Sequence, residues 1–137
     1  MGTTNQLRAP YGAVLAGTGN AVIGNQGLVL EGFSNRVSSS SVSAVVVGGN
    51  NNIGNVREST LTGGLNNVLG KFTEPLIARY ATINGGVDNA VLEDSASLLG
   101  GRAANVSGTG VQAPTLLGNK DTTFVWDTAA GSALALP

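Results

Sequence analysis

The sequence holds neither cysteine nor histidine. Without cysteine there is no disulfide framework and no thiolate metal site. Without histidine the commonest general base and the commonest metal ligand are both missing. Charged residues make up 11% of the chain and aromatics 4%, against about 25% charge in an ordinary globular domain. There is little to titrate, so the composition predicts a protein that is not an enzyme and carries no cofactor and no metal. Net charge is −1 and the pI about 5.1. No basic stripe exists to neutralise phosphates, which argues against nucleic acid as a partner. No run approaches the roughly 18 apolar residues that span a bilayer, which argues against a membrane. The N-terminus, MGTTNQLRAPYG, lacks the charged-then-apolar layout of a secretory signal. Read as a complete chain, it is expected to be made and used without Sec export.

The few acidic residues form no recurring pair. Glu93 and Asp94 are adjacent, so on a strand they would point to opposite faces. Glu31, Glu58, Glu74, Asp88 and Asp121 show no spacing that would flank a sugar cleft. GLNNVLGKF has the wrong glycine spacing for a phosphate loop, and Phe72 stands where Ser or Thr must hold magnesium. GTGNAV, around Gly17, fails the dinucleotide pattern, and no regular acidic position supports a calcium β-roll. Asn105-Val106-Ser107 matches the glycosylation sequon and is read as structural.

What the sequence does have is glycine, at 21 of 137 residues, placed periodically. Six segments align on a glycine: AVLAG, LVLEG, VVVGG, TLTGG, TINGG and SLLGG, ending at Gly17, Gly32, Gly49, Gly64, Gly86 and Gly101. The steps between them are 15, 17, 15, 22 and 15 residues. A unit of 15 with insertions of two and seven explains these steps. Three residues before each glycine sits an aliphatic: Val14, Val29, Val46, Leu61, Ile83, Leu98. Three residues after it sits Asn20, Asn35, Asn52, Asn67 or Asn89, and in the sixth copy the asparagine slips by one to Asn105. A second aliphatic follows one or two residues later: Val22, Val37, Ile53, Val68, Val91, Val106.

A 15-residue coil is too short for a helix and a return, and it fits two or three short strands joined by tight turns. Glycine at the fixed corner supplies positive φ without steric cost. Asparagine is the next best left-handed residue, and stacked asparagines can form an amide ladder. The aliphatic columns stack into a core, so each coil contacts only its neighbours. The pattern therefore predicts an all-β fold, a β-solenoid or β-helix of about 15-residue coils over residues 13–108. One coil buries only one or two aliphatics per side, a thin core for a small domain. The small residues between the columns allow close packing of chains. An obligate oligomer follows, expected as an intertwined or side-by-side homotrimer.

The run VVVGGNNNIGN, TLTGGLNNVLG, TINGGVDNAVLE, SLLGGRAANVSG resembles the GG-x-x-N repeats of phage tail-fibre and head-like trimeric β-helix proteins. It is also similar in style to the head domains of bacterial trimeric autotransporter adhesins. KDTTFVWD, residues 120–127, resembles the aromatic strand that closes such arrays. The resemblance covers residues 13–127. An autotransporter would also need a signal peptide, a coiled-coil stalk and a membrane-anchor barrel. A virion component needs none of them. The resemblance thus implies a non-enzymatic virion protein exposed on a phage particle: a short trimeric fibre, a fibre tip or a capsid-surface decoration. The alternative it implies is an adhesin head that grips a host-surface glycan or protein on a bacterial cell surface.

Three segments fall outside the repeat. Residues 1–12 form a polar arm, whose Arg8 and Tyr11 are expected to dock other virion proteins. The insertion around 70–80 gathers Lys71, Phe72, Glu74, Arg79 and Tyr80, charge and aromatics in a chain poor in both. It is read as an inter-chain apolar cover or as a protruding contact loop, with Arg79 and Tyr80 the contact residues. The stretch Ser38 to Ala44 holds the two-residue insertion and is expected to be a coil corner. Residues 109–137 are expected to form a C-terminal β cap built on Phe124 and Trp126, because a solenoid end exposes unpaired strand edges.

Overall fold

The structure is a computed structural model of the chain and describes residues 2–39, 41–70, 79–92, 94–109, 115–117, 123–127 and 132–136. The described residues contain no helix. The strands in chain order are β1 (Gln6–Leu7), β2 (Ala13–Val14), β3 (Ala21–Val22), β4 (Leu28–Val29), β5 (Arg36–Val37), β6 (Val45–Val47), β7 (Ile53–Gly54) and β8 (Thr60–Thr62). They continue as β9 (Val68–Leu69), β10 (Thr82–Asn84), β11 (Ala90–Val91), β12 (Ser97–Leu99), β13 (Asn105–Thr109), β14 (Thr115–Leu117), β15 (Thr123–Asp127) and β16 (Ser132–Leu136).

The odd-numbered strands stack in order into a nine-stranded sheet that ends β13-β15-β16, and the even-numbered strands form a seven-stranded sheet. Neighbours are parallel throughout except β15 with β16. The chain thus runs through one sheet, around a corner, through the other sheet and around a second corner, then repeats one strand further along. This is the β-solenoid that the repeat predicts. Residues one step apart in the repeat are paired residues in the ladder: Ala13 with Leu28 and Thr82 with Ser97.

The strands are short because glycine and turn residues return within two to five residues of their start, and Val, Ile, Leu and Thr fill what is left. Alternation then sorts the side chains. Val46 is buried while Val45 and Val47 on either side are half-buried. Between the sheets lies a core of Val22, Val29, Val37, Val46, Leu61, Leu69, Ile83, Val91, Leu98 and Val106, all at zero exposure. Val14 in the first aligned copy packs against this core half-buried. Small residues enter each even-numbered strand at the inner corner, where Ala44, Ala81 and Ala96 are buried and Ser59 takes the same place.

Four expectations need correction. First, Ile53 and Val68 are not core residues; both are half-buried on the outer face. Val37 pairs with Gly54 and Gly54 with Leu69, so the inward position stays two residues after the asparagine in every coil. The backbone period is constant, and the residue type at that position is not. Second, the buried asparagines do not hold the left-handed backbone. Positive φ falls on the residue before them, at Gly19, Ser34, Asn51, Asn66 and Asp88. Third, the solenoid starts before residue 13, because Gln6–Leu7 already pairs with Ala21–Val22. Fourth, it continues past residue 108: β14 pairs in register with β12, and β15 pairs parallel with β13. The corner expected at Ser38 to Ala44 is a tight turn closed by Ser41 N–H to Ser38 O at 3.1 Å, and the Ser41 hydroxyl donates to Gly54 O at 2.7 Å.

Candidate functional site

Two corners flank the sheets, and each carries one kind of polar chemistry. At the first corner the aligned glycines meet the asparagine column. Gly64 has φ +84°, and a Cβ there would collide with the Gly86 carbonyl oxygen and the Asn67 amide nitrogen. The Gly17, Gly32, Gly49 and Gly86 positions meet the equivalent pair of atoms. Asn20, Asn35, Asn52, Asn67 and Asn89 are essentially fully buried. Each donates to the carbonyl four residues earlier in its own coil and to the aligned glycine carbonyl of the next coil, as Asn35 does to Glu31 O at 3.1 Å and Gly49 O at 3.0 Å. Asn20, Asn35, Asn52 and Asn67 each accept the backbone N–H of the next coil's asparagine: Asn35 N–H to Asn20 Oδ1 at 2.9 Å, Asn52 N–H to Asn35 Oδ1 at 3.0 Å.

The expected amide contact occurs within this column, where Asn67 Nδ2 donates to Asn52 Oδ1 at 3.2 Å, and a second ladder runs beside it. Asn51 donates to Asn66 Oδ1 at 2.9 Å, and Asn66 donates to Asp88 Oδ1 at 2.9 Å, all on the exposed rim. The buried ladder begins with Asn5, whose Oδ1 accepts the Asn20 N–H at 2.9 Å. It ends at Ala104, whose N–H meets Asn89 Oδ1 at 2.9 Å. Asn105 is therefore not a slipped member. It lies in β13 opposite Ala90.

The second corner gathers the chain's sparse charge and tyrosine. Its left-handed positions are Tyr11, Gln26, Ser43, Glu58, Tyr80 and Ser95. They stack because each N–H reaches back one coil: Gln26 to Pro10 O, Ser43 to Asn25 O, Glu58 to Val42 O, Tyr80 to Arg57 O and Ser95 to Arg79 O. Tyr11 and Tyr80 therefore share one edge of the solenoid. They stand four coils apart, about 19 Å at the usual strand spacing. Both project: Tyr11 is 87% exposed and Tyr80 59%. Arg79 is tied down. Its backbone N–H donates to Asp94 Oδ1 at 2.7 Å and its guanidinium to Asp94 Oδ2 at 2.8 Å. The hydrogen bond and charge of Asp94 hold its pKa above the ordinary arginine value. Arg57 and Glu58 complete the edge, both exposed. Arg8 is exposed beyond β1.

No protein-family model matches the chain, and no curated protein matches it in sequence. The reading of its function thus rests on its own geometry. Phe124 and Trp126 fall in β15, which pairs with β13 on one side and antiparallel with β16 on the other. Lys71, Phe72 and Glu74 lie outside the described residues.

One concavity stands out on the outer face of the nine-stranded sheet. It is a half-open groove of about 380 Å³, lined by Gln6, Ala21, Ser34, Arg36, Asn51 and Ile53 among others. Gly19 and Ala21 make the dent, because their neighbours in the same columns carry longer side chains. Sequence reasoning missed several of these residues. Gly2, Asn5 and Leu7 lie one step of 15 before Gly17, Asn20 and Val22, so extending the alignment backwards would have found the first coil. Asp94 as the partner of Arg79 also lies one step of 15 away. Leu69 was legible as the residue two after Asn67. The rim ladder had only the signal of Asn51, Asn66 and Asp88 recurring just before the buried asparagines.

Proposed function

We propose that the chain is a non-enzymatic structural protein of a bacteriophage particle: a short homotrimeric fibre, a fibre tip or a capsid-surface decoration. One observation carries the reading. The buried polar side chains of the repeat are spent on joining coil to coil, as when Asn67 Nδ2 reaches Gly86 O at 3.0 Å. Such a wall supplies length and rigidity. The likeness of the GG-x-x-N repeats to fibre proteins supports the same conclusion. Trimerisation covers the half-buried aliphatics left on the sheet faces, such as Leu28, Leu30, Val45 and Val47. The N-terminal end joins the parent particle, β16 with Phe124 and Trp126 caps the other end, and the tyrosine edge faces outward.

The test is native mass spectrometry together with particle fractionation. We expect a species of three times the 13.6 kDa chain mass that co-purifies with intact particles. A stable, folded monomer at micromolar concentration, absent from particles, refutes the proposal.

A second reading, a glycan-binding tip, is favoured by the groove of Gln6, Ser34, Arg36 and Asn51. Its amides and hydroxyl suit sugar hydroxyls, and Ile53 offers an apolar wall for a ring face. Binding of oligosaccharides on an array that is lost on Asn51→Ala and Gln6→Ala, with folding intact, supports it. Unchanged binding in both variants removes it.

A further inference from the structure

The chain has two tyrosines, and both stand in one column of the second corner, at Tyr11 and Tyr80. Both sit in left-handed backbone, at φ +60° and +59°. A bulky side chain is strained there, and strain of this kind gathers at ligand sites. The other non-glycine residues in that conformation are Thr, Gln, Ser, Asn, Glu, Asp and Ala, all smaller. The rings gain little within the chain. Tyr11 is 87% exposed and Tyr80 59%, and neither phenol makes a hydrogen bond among the described residues. Tyr80 lies between two coils: its N–H bonds to Arg57 O, and the Ser95 N–H of the next coil bonds back to Arg79 O. It projects nonetheless, so the projection belongs to the corner itself.

We infer that this edge binds a linear, neutral polysaccharide lying along the solenoid, with the Tyr11 and Tyr80 rings stacked on two of its sugars. The rings stand about 19 Å apart, on a row that hydrogen bonds tie coil to coil. Between them Ser43 Oγ donates to Gln26 Oε1 at 3.1 Å, which leaves the Gln26 amide N–H groups and the Ser43 lone pairs for sugar hydroxyls. A tyrosine offers an apolar ring face and a polar tip, which suits a sugar's own two-sided surface. Other partners fit less well. A ridge one residue wide gives a globular protein far less than the roughly 800 Å² per side of a stable interface. An extended peptide draws its affinity from main-chain bonds, and the N–H groups of Gln26, Ser43, Glu58 and Tyr80 are already bonded to the coil before. A nucleic-acid strand would stack on the same rings, but Glu58 stands between them and the net charge is −1, so phosphates are repelled. The site rests on the outward-facing edge of the proposed particle and assigns Tyr11 to the ligand rather than to docking of the N-terminal arm. None of its residues lines the groove on the sheet face.

Serine already fills this column at Ser43 and Ser95, so Tyr11→Ser and Tyr80→Ser keep the corner. The probes are linear neutral oligosaccharides of graded length, from the malto-, cello- and N-acetylated chito- series. Binding to the full chain is followed by the NMR signals of the two tyrosine rings. Oligosaccharides long enough to span the two rings should shift both and bind about tenfold or more tighter than shorter ones, because the second ring acts at high effective concentration. Either substitution should erase that step, and the two together should abolish binding, while protected amides at Ile83 and Val91 show that the fold is intact. No binding from any of the three series, or a length step that survives both substitutions, overturns the site. Ring shifts given by an oligothymidylate and by no glycan also overturn it and make the rings a base-stacking surface. Glycan binding that is lost in Asn51→Ala and kept in Tyr80→Ser belongs to the groove and overturns the edge as well. Each of these results leaves the virion proposal standing, because that is read by mass and by co-purification. Glycan binding through both rings by a chain that never joins particles overturns the virion proposal alone.

Discussion

The side-chain oxygen of Asn52 accepts the backbone N–H of Asn67 at 3.0 Å, across a coil boundary of 15 residues. A side chain here does what a ladder carbonyl does in a sheet. It continues the hydrogen-bonded stack around a corner where the backbone turns away. Both ends of the amide are used, because Asn52 Nδ2 also reaches Gly64 O at 3.1 Å in the next coil. The corner is held as firmly as the strands, and the first predictions follow from that.

Asn67→Ala should cost about 2 kcal/mol or more. It leaves the buried Asn89 N–H without its partner, at about 1–3 kcal/mol, and takes one of two donors from the Gly86 carbonyl, which keeps the Leu65 N–H. Asn66→Ala, one residue away on the exposed rim, should cost about 0.5 kcal/mol, because water replaces the lost amide bonds. Urea unfolding of the two variants decides the matter. Equal midpoints would mean that the buried column is not what joins the coils.

Gly63 and Gly64 are neighbours with opposite tolerance. Both have positive φ, at +64° and +84°. Nothing lies within 4 Å of a Cβ added at Gly63, whereas one at Gly64 meets the next coil's backbone. Gly63→Asn should therefore fold normally at a cost of about 1 kcal/mol. Gly64→Ala should block stacking and yield insoluble protein. The aligned glycine is required for space, and the one before it only for φ; in the first two copies Ala16 and Glu31 stand in its place, and neither has positive φ. Soluble Gly64→Ala with a native circular dichroism spectrum would refute the steric argument.

Leu69→Asp should abolish folding, because an unpaired carboxylate enters the sealed core. Val68→Asp, half-buried on the outer face, should leave a folded chain. In a trimer that uses this face it should weaken association only. Circular dichroism with analytical ultracentrifugation separates the two effects, and the opposite ranking would restore the register expected from sequence.

The register error shows what a sequence of this kind conceals. The glycine column was legible because only one residue type fits a corner that crowded. The asparagine column was legible for a related reason, since few side chains can both donate to two carbonyls and accept from the next coil. The inward column beside it tolerates Val, Leu or even Gly54, which faces Val46 and Ala44 across the core at ordinary contact distance. Ile53 and Val68 then look like better core residues than those that serve. The first coil was hidden by its composition: Thr, Gln and Arg surround Leu7, and only the phase of Gly2 and Asn5 marks it. The tyrosine edge was hidden differently. Arg79 with Tyr80 and Arg8 with Tyr11 were visible as sparse residues. That Tyr11 and Tyr80 occupy the same corner position follows only once the seven-residue insertion is assigned to one side of it.

The last prediction separates Arg79 from Tyr80, which sequence reasoning grouped as one contact. Arg79 spends its guanidinium and its backbone N–H on Asp94 in the following coil, and Asp94 is the more covered partner, at 18% side-chain exposure. Arg79→Ala should therefore loosen the corner locally. Amide exchange at Ser95, whose N–H donates to Arg79 O, should quicken. Global stability should hardly move, with a change in Tm under about 2 °C, because an exposed ion pair is screened by water and salt. Tyr80 makes no such clamp and sits in left-handed backbone at φ +59°. Tyr80→Asn puts a residue at ease in that conformation and removes a projecting ring. It should leave Tm unchanged or slightly raised, and should weaken attachment of the particle if the edge faces a host surface. Raising salt to 1 M should erase the difference in Ser95 exchange between wild type and Arg79→Ala and leave the effect of Tyr80→Asn untouched. Loss of attachment in Arg79→Ala equal to that in Tyr80→Asn, with Ser95 protected in both, would make the arginine a contact residue after all. Loss of oligomer in Tyr80→Asn would place the ring between chains and turn the edge inward.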